Sequence, residues 1–311
     1  MTTPNPKPKS DLALLLRMTR PGFLSITAVG CLLGLASAAA CACGIDPLRA
    51  LATLGLALTA HAGANVLNDY HDAINGADAG NRDGIFPFTG GSRLIQQGQV
   101  SLERTRTLAW LLLGLVALAG VLLAVRTGGG LLLIGLAGLL LGWAYSAPPL
   151  KLMCRGLGEL AVALTWWLIV IGADYVQRRE FFVIPAATAL SYALLVANIL
   201  LVNGYPDARS DAAAGKRTLV VKLGPQRAAW LYLALALLAH GWLAVGAWQL
   251  LQALPALWGL VSLPLSLAAA GLLWRRAHEP ERLRPVIVLT IGAALLHGLG
   301  MAAGLAAMGW R

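Results

Sequence analysis

Long runs of apolar residues dominate the chain, and short polar segments separate them. The runs are about 17 to 25 residues long, which is the length that a helix needs to cross a bilayer. They do not alternate in hydrophobicity as strands do. The pattern therefore predicts an all-α polytopic membrane protein with nine transmembrane helices, near residues 22–45, 49–68, 107–125, 129–146, 157–173, 181–204, 228–250, 254–274 and 286–309.

Composition agrees with this class, because 58% of the 311 residues are hydrophobic and only 12% are charged. The first ten residues are rich in Pro and Lys and lack an apolar core, so we interpret them as a disordered tail and not as a cleaved signal peptide. We expect residues 1–20 to form an N-terminal tail and the entry to the first helix. Residues 21–311 are expected to form a single transmembrane domain.

The net charge of +10 reflects topology, because the basic residues concentrate in alternate loops. Of the 24 Lys and Arg residues, 19 fall on the side of the N-terminus and 5 on the other side. The positive-inside rule then places the N-terminus in the cytoplasm and the C-terminus outside. Eleven of the fourteen acidic residues also fall on the cytoplasmic side, which indicates a cytoplasmic active face. A nucleic-acid partner is not predicted.

The first acidic group stands at the end of the second apolar run, in the sequence NDYHDAINGAD. Residues four apart share a helical face, so Asn65 is predicted to lie under Asp69, and Asn68 under Asp72. In a soluble protein such a run would most often be a solvated helix end. Ionisable groups at membrane depth instead mark ion or substrate sites.

A second acidic group follows the sixth apolar run, where Asn203, Asp207 and Asp211 recur every four residues. Gly204 and Pro206 are expected to interrupt this helix, as in the discontinuous helices of binding sites. Magnesium prefers oxygen ligands and is usually held by carboxylates together with substrate phosphates. We therefore interpret the two acidic groups as halves of one metal site.

Basic and glycine-rich segments beside the acids suggest a phosphate-bearing ligand. Thr89-Gly90-Gly91-Ser92-Arg93 and Gly215-Lys216-Arg217 offer amides, hydroxyls and cationic groups suited to phosphate oxygens. Other basic and aromatic residues have two interpretations. Tyr145, Lys151 and Arg155 either mark the membrane interface or clamp an anion, and Arg20 is either an interfacial anchor or a substrate contact.

These motifs resemble the UbiA family of intramembrane prenyltransferases. The similarity rests on NDYHDAINGAD, YSAPPLK, RGLGEL and PDARSDAAAGKRTL, and it runs from Arg20 to about Gly224. The first motif has glycine at Gly76 and its last acid at Asp78. In this form it is similar to the motif of the branch that acts on 1,4-dihydroxy-2-naphthoate in menaquinone synthesis. The segment FPFTGGSRLIQ matches that branch less closely. A bacterial-type cytoplasmic membrane is the location that the resemblance implies.

The resemblance also implies a mechanism and a set of site residues. Two Mg²⁺ ions would bridge the diphosphate of a polyprenyl donor, and the electron-rich ring of an aromatic acceptor would attack the allylic cation. If the acceptor is the naphthoate, loss of its carboxylate follows. The catalytic residues would be Asp69, Asp72, Asp207 and Asp211. The metal ligands would be Asn68, Asp69, Asp72, Asp78, Asp207 and Asp211. The substrate-binding residues would be Asn65, Asn68, Arg93, Tyr145, Lys151, Arg155, Asn203, Lys216, Arg217 and Arg20.

Three alternatives stay open on the sequence. A related prenyltransferase could use another acceptor, such as 4-hydroxybenzoate. A cation-coupled transporter could also place acids on broken helices, although its site would lie at the midplane and not at the cytoplasmic ends. A CDP-alcohol phosphotransferase would need a compact DGxxAR-type motif, which neither acidic group contains.

Overall fold

The computed structural model describes residues 11–41, 44–250 and 253–309. Within those residues the fold is helical and without strands, and nine helices are long and apolar enough to cross a membrane. The all-α polytopic prediction is thus confirmed. The predicted tail at residues 1–10 lies outside the described residues, and Asp11–Met18 form a short helix, α1.

The remaining helices follow in chain order, and most of them span the membrane. They are α2 (Pro21–Ala39), α3 (Pro47–Asn75), α4 (Ala77–Gly80), α5 (Leu102–Thr127), α6 (Gly129–Ser146), α7 (Gly158–Arg178), α8 (Val183–Ala213), α9 (Leu219–Leu223), α10 (Pro225–Val245), α11 (Leu263–Arg276) and α12 (Arg284–Met308). A π-helical turn at Gly246–Leu250 follows α10, and a 3₁₀ helix at Leu254–Ser262 leads into α11. Shorter 3₁₀ turns lie at Leu152–Arg155 and Pro280–Arg282.

The structure shifts several of the predicted boundaries. The first span ends at Ala39, earlier than predicted, and α3 continues to Asn75 instead of stopping at residue 68. Local chemistry fixes both ends of α3. The Asp46 carboxylate accepts hydrogen bonds from the backbone N–H groups of Leu48 and Arg49, and Gly76 ends the helix in the left-handed conformation, at φ 80°. The extension carries the first acidic group on regular helix.

The expected interruption of the sixth span is wrong. Helix α8 runs unbroken from Val183 to Ala213, with Pro206 inside it. A proline removes one backbone hydrogen bond from a helix, but this helix is the most buried of the spans and packs on α7, α10 and α12. Tertiary packing therefore holds it together, and Asp207 and Asp211 stand one turn apart on a continuous helix.

Close helix contacts form the core around α2, α7, α8 and α12. Small residues allow these backbones to approach, as is typical of membrane helices. A Cβ added at Gly34 of α2 would collide with the Val170 carbonyl oxygen of α7, and one at Gly298 of α12 would lie 2.7 Å from the Tyr192 ring of α8. In contrast, α5 and α6 have few buried residues. A cavity lies between that peripheral pair and the core.

Candidate active site

The cavity has a volume of about 650 Å³ and joins a polar end to an apolar channel. The polar end lies where the C-terminal parts of α3 and α8 meet α4, the segment 81–101 and the loop before α9. Both predicted acidic groups lie at this end, the first on α3 and α4 and the second on α8. Its lining includes Asn68, Asp72, Asp78, Asn81, Asp207, Asp211 and Lys216.

The first acidic group is held by amides and by a cation. Asn68 Nδ2 donates to Asp72 Oδ2 at 3.1 Å, as the four-residue spacing predicted, and Asn75 Nδ2 donates to Asp72 Oδ1 at 3.1 Å. Asn65 does not pair with Asp69 but donates to the Thr19 carbonyl oxygen at 3.0 Å. One of the two predicted amide and carboxylate pairs therefore forms, and Asn65 fastens α3 to the start of α2.

Asp69 is 2% exposed and forms an ion pair with Arg20. Its other carboxylate oxygen accepts a hydrogen bond from the Ser92 backbone N–H at 3.2 Å. Burial opposes the charge of Arg20, but Asp69, together with Asp78 and Asp72, outweighs burial and raises the pKa of the guanidinium above its ordinary value. Arg20 thus belongs to the site by contact, through Asp69, and it also lines the cavity.

Asp78, on α4, adds a carboxylate beside the first two. A Cβ at Gly91 would come within 2.5 Å of Asp78 Oδ2 and 3.2 Å of Asp69 Oδ1, and Gly91 has φ of 72°, so glycine is required there. Burial, followed by the neighbouring Asp72 carboxylate, raises the pKa of Asp78 to about 7. The Asp78 carboxyl therefore takes up a proton more readily than a free carboxyl, because burial and a neighbouring like charge both disfavour its ionised form.

The second acidic group contacts the segment between α4 and α5. Asn81 Nδ2 donates to Asp207 Oδ1 at 2.6 Å, and the Gly90 backbone N–H donates to Asp207 Oδ2 at 3.2 Å. Asn81 and Thr89 are both 3% exposed, so this segment folds inward over the acids. Sequence reasoning missed Asn81, whose only signal was an amide side chain directly after the first acidic motif.

Lys216 joins the two acidic groups. Its Nζ lies 3.1 Å from Asp72 Oδ1 and 3.0 Å from Asp211 Oδ1, and the three side chains are 7 to 9% exposed. Burial opposes the ammonium charge, but Asp72 and Asp211 outweigh it and raise the pKa of Lys216 above its ordinary value. A single buried cation therefore ties α3 to α8 at the polar end.

The other predicted basic residues lie away from the cavity wall. Arg93 donates from Nη1 to the Asn81 carbonyl oxygen at 2.9 Å and stacks over the Phe86 ring, which braces the segment over the acids. Lys151, Arg155 and Arg217 are exposed and do not line the cavity. Their roles toward substrate stay predictions.

Three further polar residues line the cavity where α6, α7 and α8 meet: Tyr145, Glu159 and Asn203. Tyr145 and Asn203 were predicted, and Asn203 Oδ1 is buried with no hydrogen-bond partner among the described residues. Glu159 lies in the motif RGLGEL, but it was not predicted to be a site residue. It is 8% exposed, at the first turn of α7.

The donor set suits a hard divalent cation. Five buried or half-buried carboxylates meet at the polar end, from Asp69, Asp72, Asp78, Asp207 and Asp211, against the half-buried Arg20 and the buried Lys216. In the described part of the chain, no three His, Cys, Asp or Glu side chains stand close enough together to make a preformed metal site. The oxygen ligands and the excess of carboxylates over cations nevertheless fit Mg²⁺, which takes few protein ligands and completes its shell with phosphate or water.

The rest of the cavity is apolar and follows α3 away from the acids. Its wall extends back to Thr53, 19 residues before Asp72. At 1.5 Å per residue this is about 28 Å, close to the roughly 30 Å hydrocarbon thickness of a bilayer. Gly120, Gly135 and Gly138 line this part, and an added Cβ at any of them would meet open space. The channel has room for an elongated apolar group.

Comparisons with known proteins agree with this architecture. Residues 27–290 match the model of the UbiA prenyltransferase family. The chain is 33% identical over 262 residues to the 1,4-dihydroxy-2-naphthoate octaprenyltransferase of Mycobacterium tuberculosis, covering 83% of this chain and 85% of that protein. It is 31% identical over 275 residues to the enzyme of the same name from Escherichia coli, covering 85% and 86%.

Solved structures show the same fold. A UbiA homologue from Archaeoglobus fulgidus, bound to GPP and Mg²⁺, superposes with a TM-score of 0.62 at 18% identity, over 94% of this chain and 99% of that one. A digeranylgeranylglyceryl phosphate synthase gives a TM-score of 0.61 at 17% identity, over 96% and 100%. The family match spans most of the chain and includes both acidic groups. The chain belongs to the UbiA prenyltransferase family and is a prenyltransferase.

Proposed function

We propose that the protein transfers a polyprenyl group from a polyprenyl diphosphate to 1,4-dihydroxy-2-naphthoate, with loss of the carboxylate, to give demethylmenaquinol, the reduced form of demethylmenaquinone. The observation that carries the proposal is one continuous cavity with an acidic end and an apolar channel of membrane length. Such a cavity fits a substrate with a charged head and a long hydrocarbon tail. The two relatives named as octaprenyltransferases of this naphthoate support the choice of acceptor.

The acidic end is the proposed position of two Mg²⁺ ions and the diphosphate. Asn68, Asp69, Asp72 and Asp78 would hold one ion, and Asp207 and Asp211 the other. Bound Mg²⁺ would supply charge neutralisation on the departing diphosphate. Magnesium is named with the prenyl diphosphate in the Archaeoglobus fulgidus structure, which supports the assignment.

Residues of this chain bind and shield the remaining parts of the donor. Lys216 and Arg20 stand at the acidic end with N–H groups that can turn from carboxylates to diphosphate oxygens. Arg93, Lys151, Arg155 and Arg217 lie outside the cavity wall, where their charge attracts the donor and does not hold it. Tyr145, Asn65 and Asn203 line the cavity and would contact the acceptor.

The apolar channel would hold the prenyl tail and keep water from the allylic cation. Each methylene that it buries contributes about 0.8 kcal/mol. The protein is proposed to function as a single domain over residues 21–311, with its N-terminus and acidic end on the cytoplasmic side of a bacterial-type cytoplasmic membrane. The distribution of basic residues supports this orientation.

The test is turnover by purified protein in detergent with Mg²⁺, a labelled polyprenyl diphosphate and either the naphthoate or 4-hydroxybenzoate. We expect prenylated naphthoate, and its loss in EDTA and in Asp72→Ala and Asp207→Ala. Asp83→Ala is the matched control, because Asp83 pairs with the exposed Arg209 and does not line the cavity. Product only with 4-hydroxybenzoate would refute the naphthoate as the acceptor. Turnover that EDTA does not affect would refute the requirement for Mg²⁺.

A further inference from the structure

Glu159 is a buried carboxylate that the donor site does not use. It is 8% exposed and lines the cavity from the first turn of α7. In the described part of the chain its carboxylate is met by its own backbone N–H and by no side-chain donor. Buried carboxylates are costly unless other groups satisfy their oxygens. A buried carboxylate that lines a cavity and has no side-chain partner therefore points to a ligand that brings a donor.

The surroundings place Glu159 beside the reacting end of the cavity. The adjacent Gly158 lies against Met153, and the Met153 sulfur accepts a hydrogen bond from Asn68 Nδ2 at 3.2 Å. A Cβ at Gly158 would also lie 3.5 Å from the Tyr145 ring. Glu159 itself lines the same cavity as Tyr145 and Asp72, and both carboxylates lie close enough to Tyr145 to act on it electrostatically.

A purely structural role for Glu159 at the start of α7 does not explain why this carboxylate is buried beside the cavity. An acid in the first turn stabilises a helix through the macrodipole, and this requires neither burial nor a cavity. Glu103 has that position in α5 and is exposed. The same helix position is thus filled at the surface in α5 and inside the cavity in α7, so the macrodipole does not explain why Glu159 is buried.

We propose that Glu159 is a catalytic residue that accepts the proton of the acceptor hydroxyl, a role that rests on the hydroxynaphthoate proposed above. The O–H bond breaks, and the proton moves to a Glu159 carboxylate oxygen. The ring carbon that bears the carboxylate then bonds to the allylic carbon of the donor as the allylic carbon's bond to the diphosphate oxygen breaks, and the electron pair leaves with diphosphate. Loss of carbon dioxide returns an electron pair to the ring, and Glu159 gives its proton back to the ring oxygen.

The test compares Glu159→Gln and Glu159→Asp with Glu103→Gln, which makes the same change at the exposed first-turn acid of α5. We expect Glu159→Gln to lower kcat for prenylation by about 100-fold or more, the scale of general base catalysis. The KM for the prenyl donor should stay within about threefold, because the diphosphate contacts are intact. Glu159→Asp should retain part of the activity, and Glu103→Gln all of it.

A binding measurement separates catalysis from folding. Wild-type protein, with Mg²⁺ and inorganic diphosphate in place of the donor, should bind the naphthoate about 10-fold or more tightly than 1,4-dimethoxy-2-naphthoate, because a charged hydrogen bond is lost in the ether. Glu159→Gln should lose most of this preference. Equal wild-type affinity for both compounds would overturn the proposal even if the variant did not fold.

A kcat for Glu159→Gln within about threefold of wild type would also overturn the role of Glu159, because loss of a general base costs far more. Turnover of the naphthoate by wild-type protein reports separately on the proposed function. If wild type turns over and the variants match it, only the role of Glu159 fails. If wild type does not prenylate the naphthoate, the acceptor is wrong and this inference fails with it.

Discussion

Replacing Lys216 by Met isolates the charge balance at the acidic end. Lys216 is the buried cation between Asp72 and Asp211, at 3.1 and 3.0 Å. Methionine keeps most of the side-chain volume and removes the ammonium group. Two buried carboxylates are then left facing one another without a cation, so the metal-free protein should be destabilised.

The structure sets the size of the effect. Removing one partner of a buried ion pair costs about 3 to 5 kcal/mol, because the remaining charge stays buried and uncompensated. At about 2 °C per kcal/mol for a chain of this size, the apparent Tm should fall by about 6 to 10 °C. Mg²⁺ should recover much of this loss, because a bound cation supplies the missing positive charge and stabilises the state that binds it.

The assay is thermal unfolding in detergent at one scan rate, in EDTA and in excess Mg²⁺. Lys222→Met is the matched control, because Lys222 is exposed and, among the described residues, its amine contacts only the Arg155 carbonyl oxygen. A surface change of this kind should cost no more than about 0.5 kcal/mol. An unchanged Tm for Lys216→Met in EDTA, or equal stabilisation of wild type and variant by Mg²⁺, would refute the reasoning.

Three other changes test the segment over the acids, the core and the channel. Asn81→Ala should cost about 1 to 3 kcal/mol in chemical unfolding, because a buried carboxylate loses its amide donor; an unchanged midpoint would contradict this. Gly34→Leu should lose more than about 3 kcal/mol through overpacking, whereas Gly55→Leu, where a Cβ meets open space, should fold normally. Gly138→Phe should raise the KM for long prenyl donors about tenfold and spare geranyl diphosphate, while Gly114→Phe, outside the cavity, should leave both unchanged.

The spans could be read from the sequence because hydropathy and helix length are local properties. Helix continuity could not always be read in this way. Pro206 suggested a break in α8, yet packing against three neighbouring helices keeps α8 continuous past this residue. The low helix propensity of one proline was outweighed by tertiary packing, which depends on helices that are distant in sequence.

The acidic site shows the same limit at the level of contacts. The four-residue spacing gave the Asn68 and Asp72 pair, which lies within one helix. It failed for Asn65, which bonds to a carbonyl 46 residues away in sequence, at Thr19. Helical periodicity predicts which residues of one helix share a face, but it does not predict contacts with another segment of the chain.

Other partners of the two acidic groups come from still farther along the chain. Asp207 accepts a hydrogen bond from Asn81, 126 residues earlier, and Asp72 meets Lys216, 144 residues later. Each contact joins a spanning helix to a loop that the hydropathy pattern treats only as a connection. Because the loops supply the amides and the ammonium group that balance the carboxylates, the charge state of the site is set by segments with the weakest sequence signal. Exchanging the spanning helices alone between related enzymes should therefore fail to transfer metal affinity unless the loops at 81–93 and 214–218 are exchanged with them.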